Sequence, residues 1–394
     1  METGTKKKPY MPIGVTIAVI VIIIWTVLAF IYMFFYKDLS PVFYLKSDGI
    51  YYSYDANKTP AKLVGDPGTA TFTNLTVASN TQVTENGHYI FSLDSNGDLY
   101  KTKTTNGNSE KIAENVTSFA ISPYGLNVVF LDANNKLFSS NGKTEKLISD
   151  DVGSTFTIGN SIFFSQGNEG NITIYKITSK GNQEAASNIW HFNPDYDRNA
   201  VWCVDNGNNS YLLLENAKTI SLPANVANAL AQWNKHILYT IEDETANPDG
   251  GSSGTLKMYK IANNKVSYVK DIATNVGVGG WLAASGNNIA FNTNGLMFYN
   301  GSSSVNLSAV DASFLTFDNS KLYYIDSTDN QNPVLKAYEN GKTNEIGTNV
   351  DNLRMLDTNL YYLKNNQLFL LENNKPKLID SDVNNFVMFT QEGV

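Results

Sequence analysis

Residues 119–148 read FAISPYGLNVVFLDANNKLFSSNGKTEKLI, and the order within this stretch recurs from residue 42 to the end of the 394-residue chain. Residues 119–122 are a short apolar run closed by Pro123, Tyr124 and Gly125. Residues 128–131 are a second run ended by Asp132, after which Asn134 and Asn135 turn the chain into Leu137 and Phe138. Asn141 and Gly142 turn it again before residues 146–148. Runs this short, separated by residues that accept tight turns, predict four antiparallel strands, here named A to D.

The B strand is the plainest part of the unit. It is expected at 42–45, 89–93, 128–131, 162–164, 201–204, 237–241, 289–291, 322–325 and 360–363. C strands follow after Asp, Asn or Gly turns, as at 50–54, 99–102, 172–177, 256–261 and 368–371. A strands are expected at 72–77, 119–121, 156–158, 189–192, 229–233, 281–284, 314–317, 353–356 and 386–389. The array opens on a B strand and closes on an A strand, so the last strand can complete the unit that the first begins. Four strands at a period of about forty residues predict an all-β chain, a single β-propeller of eight to nine four-stranded blades with nine counted. The unit at 161–198, with its polar D strand, leaves the choice between eight and nine open. No Pro, Gly or Ser linker interrupts the chain after Pro41, so 42–394 is expected to be one domain.

The first forty residues follow other rules. Residues 1–12 are polar and carry Lys6, Lys7 and Lys8, and residues 13–36 then run IGVTIAVIVIIIWTVLAFIYMFFY without a charge. At 1.5 Å per residue this run reaches about 36 Å, enough for a hydrocarbon core of about 30 Å. It exceeds a signal-peptide core and precedes no small-residue cleavage site, so an uncleaved signal anchor is expected. The lysines precede the span, and only Lys37, balanced by Asp38, follows it. The bias places 1–12 in the cytoplasm, 13–36 in the cell membrane as a single pass, 37–41 as a short linker and 42–394 outside.

A net charge of -8 and a pI near 5.0, with the lysines scattered, exclude nucleic acid as the expected partner. The single cysteine, Cys203, stands in the apolar run Val201, Trp202, Cys203, Val204 and reads as a small core residue.

Residues 121–125, Ile-Ser-Pro-Tyr-Gly, resemble the S-P-D-G turn of TolB-type extracytoplasmic propellers, with Tyr124 in place of Asp. Residues 321–326 and 200–205 are similar to the Y-W-T-D signature of propeller domains like those of low-density-lipoprotein receptors, without matching it fully. The resemblance covers 42–394 as a pattern. It implies a binding or scaffolding module, since propellers of these kinds mostly hold proteins or ligands.

Motifs with chemistry are few. Residues 250–254 fit G-x-S-x-G but lie at a loop tip between strands, where no nucleophile elbow forms. Residues 94–98, DSNGD, alternate oxygen donors as a calcium loop does, but glycine falls at the fourth place and no distal glutamate follows. His191, Asp195, Asp197 and Arg198 bring a histidine, carboxylates and an arginine together, and a turn closed by an internal Asp-Arg pair explains them. With only His88, His191 and His236, none spaced four apart, no metal site is expected, and no catalytic residue or cofactor is assigned.

In a propeller the A–B and C–D turns share one end and the B–C and D–A loops the other. The linker at 37–41 reaches at most about 17 Å, so the A–B end, with His191, Asp195, Asp197 and Arg198, is expected near the membrane. The outward end then carries the longest insertion, with Glu242, Asp243, Glu244 and Asp249, beside Asp66, Asp150, Asp151, Asp326 and Asp329. These are the candidate binding residues, for a basic protein or an envelope polymer. The alternative is a glycan-active hydrolase or lyase, which would converge several carboxylates with a Tyr or Arg in one pocket. Protease added to wall-stripped cells should release the large domain and spare the N-terminus, and protection of the whole chain would overturn this topology.

Overall fold

Apolar residues stand side by side in the inner strands of this chain, and such runs are stable only where a strand is buried on both faces. The computed structural model describes residue 25 and residues 39–388, except 64–80, 85, 123, 141–143, 196–199, 224–225, 233–235, 249, 279–281 and 357–358. The chain divides into two units, Met1–Leu39 and Ser40–Val394. The expected membrane span lies outside the described residues apart from Trp25, which is helical and exposed. Among the described residues no helix is long and apolar enough to cross a membrane.

The second unit is all-β and propeller-like, built of antiparallel meanders. Thr81–Val83, Tyr89–Leu93, Leu99–Lys103 and Ser109–Ala113 form one four-stranded sheet in A to D order. Val116–Ile121, Val128–Asp132, Leu137–Ser140 and Glu145–Ser149 form the next. Four more begin at Val226–Gln232, Leu282–Ser285, Leu315–Asp318 and Val350–Leu356. Another sets Asn385–Met388, from the end of the chain, beside Val42–Lys46, Gly49–Ser53 and Ala61–Lys62.

One sheet has seven strands, because Gly181–Asp195 serves two meanders. Its first part pairs with Ile172–Thr178, and from Ile189 onward it pairs with Ala200–Asp205. Asn188, with φ of 55°, sits at the corner. This continuity explains the weak D strand of the sequence reading: GNQEAAS is polar, and no turn separates it from the A strand that follows. The expected A strand at 72–77 lies outside the described residues. Thr81–Val83 occupies the A position of that sheet.

Adjacent residues of one strand go to different neighbours. Phe43 packs with Val83 and Ile90 of the following sheet, while Tyr44 packs with Tyr361, Leu363 and Phe386. Phe91 likewise joins Phe119, Ile121 and Phe130, whereas Ile90 faces back toward Phe43. Each described apolar cluster is shared by two successive meanders, those of the seven-stranded sheet included, and one of them joins Val42 and Tyr44 to Leu368, Leu370 and Val383 near the end of the chain. There the Tyr44 hydroxyl donates to Asp380 Oδ2 at 2.8 Å, and Lys46 lies 3.2 Å from the same carboxylate. Cys203 is fully buried, and burial pushes its thiol up to about 12, in keeping with a core role.

Phe386 is wholly buried against Tyr44 and its neighbours. Phe386→Ala should therefore destabilise the domain by about 3–5 kcal/mol, and deletion of 385–394 by more. Melting of the truncated protein at the temperature of the full chain would show that this strand closes nothing.

Candidate functional site

The B–C and D–A loops meet at one end of the sheets, and local sequence fixes both. In three B–C turns an aspartate curls back on its own loop. Asp94 Oδ1 accepts the N–H groups of Asn96 and Asp98, Asp132 Oδ1 those of Asn134 and Lys136, and Asp205 Oδ1 those of Gly207 and Asn209, all at 2.8–2.9 Å. Backbone hydrogen bonds, led by Lys136 and Asn209, hold the carboxyls of Asp132 and Asp205 below their ordinary range. In the 94–98 turn the same geometry directs Asp94 at amides, as a turn residue does. Among the described residues no three His, Cys, Asp or Glu side chains are placed to hold a metal.

The D–A corners repeat a second device. Asn115, Asp151, Asn188, Asn275, Asn349 and Asp382 all have φ between 55° and 62°, the left-handed region that Asn and Asp tolerate best among residues with a side chain. Each is followed by a buried Val or Ile: Val116, Val152, Ile189, Val276, Val350 and Val383. The N–H groups of Val116, Val152 and Val383 donate to Gly97, Asn135 and Asn366 in the B–C turns, each at 2.9 Å. The two loop types are thereby tied together. The signal stands in the sequence as an Asn or Asp before Val or Ile, a two-residue pattern that the periodicity of apolar runs does not reveal.

The expected insertion at 242–254 is largely strand. Ile237–Ala246 and Ser252–Ala262 continue the hairpin outward, with Thr245 opposite Ser253 and Ala246 opposite Ser252. Asn247 and Gly251 close the tip through a 2.8 Å backbone bond. Ser252, the serine of the G-x-S-x-G match, is thus a strand residue. Glu242 is buried, taking hydrogen bonds from Thr240, Tyr259 and Lys257 at 2.6, 2.8 and 3.0 Å. It is an internal anchor, and not the surface residue expected. Asp243, at a bulge with φ of 57°, meets Lys257 at 2.9 Å, and Glu244 is exposed.

Asp326 is the second internal carboxylate. Burial pushes its carboxyl up, but hydrogen bonds from Lys336 and from the hydroxyl and N–H of Thr328 outweigh this and hold it at about 2. Asp329 is exposed and accepts from Asn332 Nδ2 and Gln331 N–H. Asp150 and Asp151 are exposed at a corner, with Lys136 Nζ 3.9 Å from Asp150. Asp66 and Asp249 lie outside the described residues.

Of the His191 group, two members stand on one described strand. His191 is exposed opposite Val204, and Asp195 stands opposite Ala200, four residues further along the same strand and about 13 Å away. His191 is therefore at the B–C end of its sheet, and Asp195 at the A–B end. Asp197 and Arg198 lie outside the described residues. Elsewhere, a pocket of about 250 Å³ is lined by Tyr89, Lys101, Lys103, Asn108, Ser109 and Glu110, with Lys101 Nζ 4.4 Å from the centre of the Tyr89 ring.

No protein-family model matches the chain, and no curated protein matches it. Among solved structures it is similar to one described as the crystal structure of the eukaryotic initiation factor, at 12% identity over 90% of this chain and 99% of that one, with a TM-score of 0.55. It is also similar to the dihydro-heme d1 dehydrogenase NirN in complex with DHE, at 12% identity, 79% and 73% coverage and a TM-score of 0.47. A third, Porphyromonas gingivalis dipeptidyl peptidase 4, gives 11% identity, 90% and 61% coverage and a TM-score of 0.45. The first likeness bears on the fold alone, and the two weaker superpositions carry no argument about this chain.

The Asp326 carboxyl lies below its ordinary value of 3.8, so the stability it contributes is complete above that pH and fades as pH falls toward about 2. Asp326→Asn should lower stability at pH 6 by about 2 kcal/mol, with the gap to the unchanged protein narrowing below pH 4. Denaturation at pH 6 and pH 2.5 measures this, and a gap independent of pH would refute it.

Proposed function

We propose that the chain is a single-pass membrane protein whose extracytoplasmic domain is a ring of nine blades, closed by Asn385–Met388, that binds a basic protein or envelope polymer at its B–C end. One observation carries the binding reading: this end holds exposed carboxylates beyond those its lysines neutralise. Lys46, Lys62, Lys111, Lys136, Lys257 and Lys336 each meet a carboxylate there, respectively Asp380, Asp48, Asp98, Asp150, Glu242 and Asp326. Asp151, Glu169, Glu244, Asp329 and Asp382 add exposed negative charge beyond those pairs. Because the turns carrying them are tied by backbone hydrogen bonds, little ordering is needed on binding, and fixed like charges favour a cationic partner. The turn at 121–125, similar to that of TolB-type propellers, accords with a binding role.

The combined variant Asp151→Asn, Glu244→Gln, Asp329→Asn, Asp382→Asn tests the reading, and asparagine suits the left-handed positions 151 and 382. With four exposed charges removed together, affinity for a labelled oligolysine should fall about fivefold, with the salt dependence weakened and melting unchanged. Equal affinity in both proteins would remove this end from binding.

A further inference from the structure

The corners that share the left-handed Asn or Asp and the buried Val or Ile also share a third position, which lies at the surface. It holds Thr117, Gly153, Gly277, Asp351 and Asn384 at five of the corners described above. At the sixth it holds Trp190, 51% exposed. Small or polar residues suffice for this backbone, so the corner itself does not require an indole.

The ring is nevertheless held in place. Gly170, in the B–C turn of the same meander, has φ of 81°, and a Cβ added there would come within 3.3 Å of Trp190 Cζ3 and 3.4 Å of Cε3. One edge of the indole lies against the backbone of Gly170, where a side chain would crowd it. Asn206, from the next B–C turn, donates its side-chain amide to Gly170 O at 2.7 Å and its N–H to Asn188 O at 3.2 Å. Two turns and the corner are laced together beside the ring. Glu169, the residue before Gly170, is exposed.

An indole fixed at the surface loses little entropy when covered and gains the burial of its remaining face, which is why tryptophan dominates interface hot spots. It is also the best aromatic acceptor for a cation. The surroundings decide between occupants: a sugar could stack on the ring and hydrogen-bond a carboxylate, but only a guanidinium also gains from the net negative charge of this end. We propose that Trp190 is the aromatic anchor of this end, receiving an arginine side chain of a basic protein segment against its indole, with Glu169 supplying the countercharge. This rests on the acidic-end reading above and adds the residue on which such a partner is seated.

The full chain in detergent is titrated with a labelled 12-residue peptide of alternating arginine and serine, beside the variants Trp190→Thr, Trp190→Phe and Glu169→Gln. Trp190→Thr installs the residue type of the 117 corner and should leave melting unchanged. Its affinity should fall about tenfold, that of Glu169→Gln by a few fold, and Trp190→Phe should keep most of it. An affinity for Trp190→Thr within twofold of the unchanged protein overturns the assignment, and if the four-carboxylate variant still loses binding, the acidic-end reading survives it. Absence of peptide binding to the unchanged protein at low salt overturns both. Binding of chitohexaose that depends on Trp190 in place of the peptide would give the ring to a sugar and overturn the inference.

Discussion

The B strands here are buried on both faces by other copies of the same unit, and no second layer of helices covers either face among the described residues. Phe43 and Tyr44, adjacent in one strand, enter two different clusters, and the same holds for Ile90 and Phe91. A meander of this kind cannot bury its apolar surface alone, so stability belongs to the interfaces between neighbours. The outer D strands obey the opposite rule. Ser109–Ala113 and Lys342–Thr348 carry exposed Lys and Glu, and Lys375–Ser381 an exposed Lys and Pro, which keep the free edges from pairing with other chains.

That difference decided what could be read in advance. B strands such as Tyr89–Leu93 and Leu322–Ile325 within Lys321–Asp326 stand out because two-sided burial leaves an apolar run with no alternation to dilute it. The D strands are solvated and resemble loops, so Gly181–Asp195 looked like a defect in the repeat. Thr81–Val83 was invisible for a related reason, since Gln82 uses its amide to reach Phe119 O and Ile121 N–H in the next sheet and needs no apolar side chain. At the candidate site the composition of 242–249 suggested an acidic loop. What draws Glu242 inward is Tyr259 and Lys257 on the facing strand, and no pattern local to Glu242 records them. The position of the exposed indole becomes informative only when the corners are aligned by conformation.

The two buried carboxylates solve one problem in one way. Lys257 stands opposite Thr240 with Glu242 two residues on, and Lys336 stands opposite Tyr324 with Asp326 two residues on. Each lysine crosses diagonally from the C strand to the B strand and gives a buried carboxylate a charged hydrogen-bond donor. The pairs lie where the hairpins leave the packed sheets, so they brace the loops from below while the corner valines brace them from the side.

The unbroken strand Gly181–Asp195 has a mechanical meaning. Elsewhere a corner lets one meander detach from the next by rotation about a few exposed bonds. Here a single hydrogen-bonded ladder passes from Ile172–Thr178 through Gly181–Asp195 to Ala200–Asp205. Amide exchange in either half then requires opening that the other half resists, so the two behave as one cooperative unit. Trp190 sits at this seam, so a force applied at its corner would be shared by seven strands instead of four.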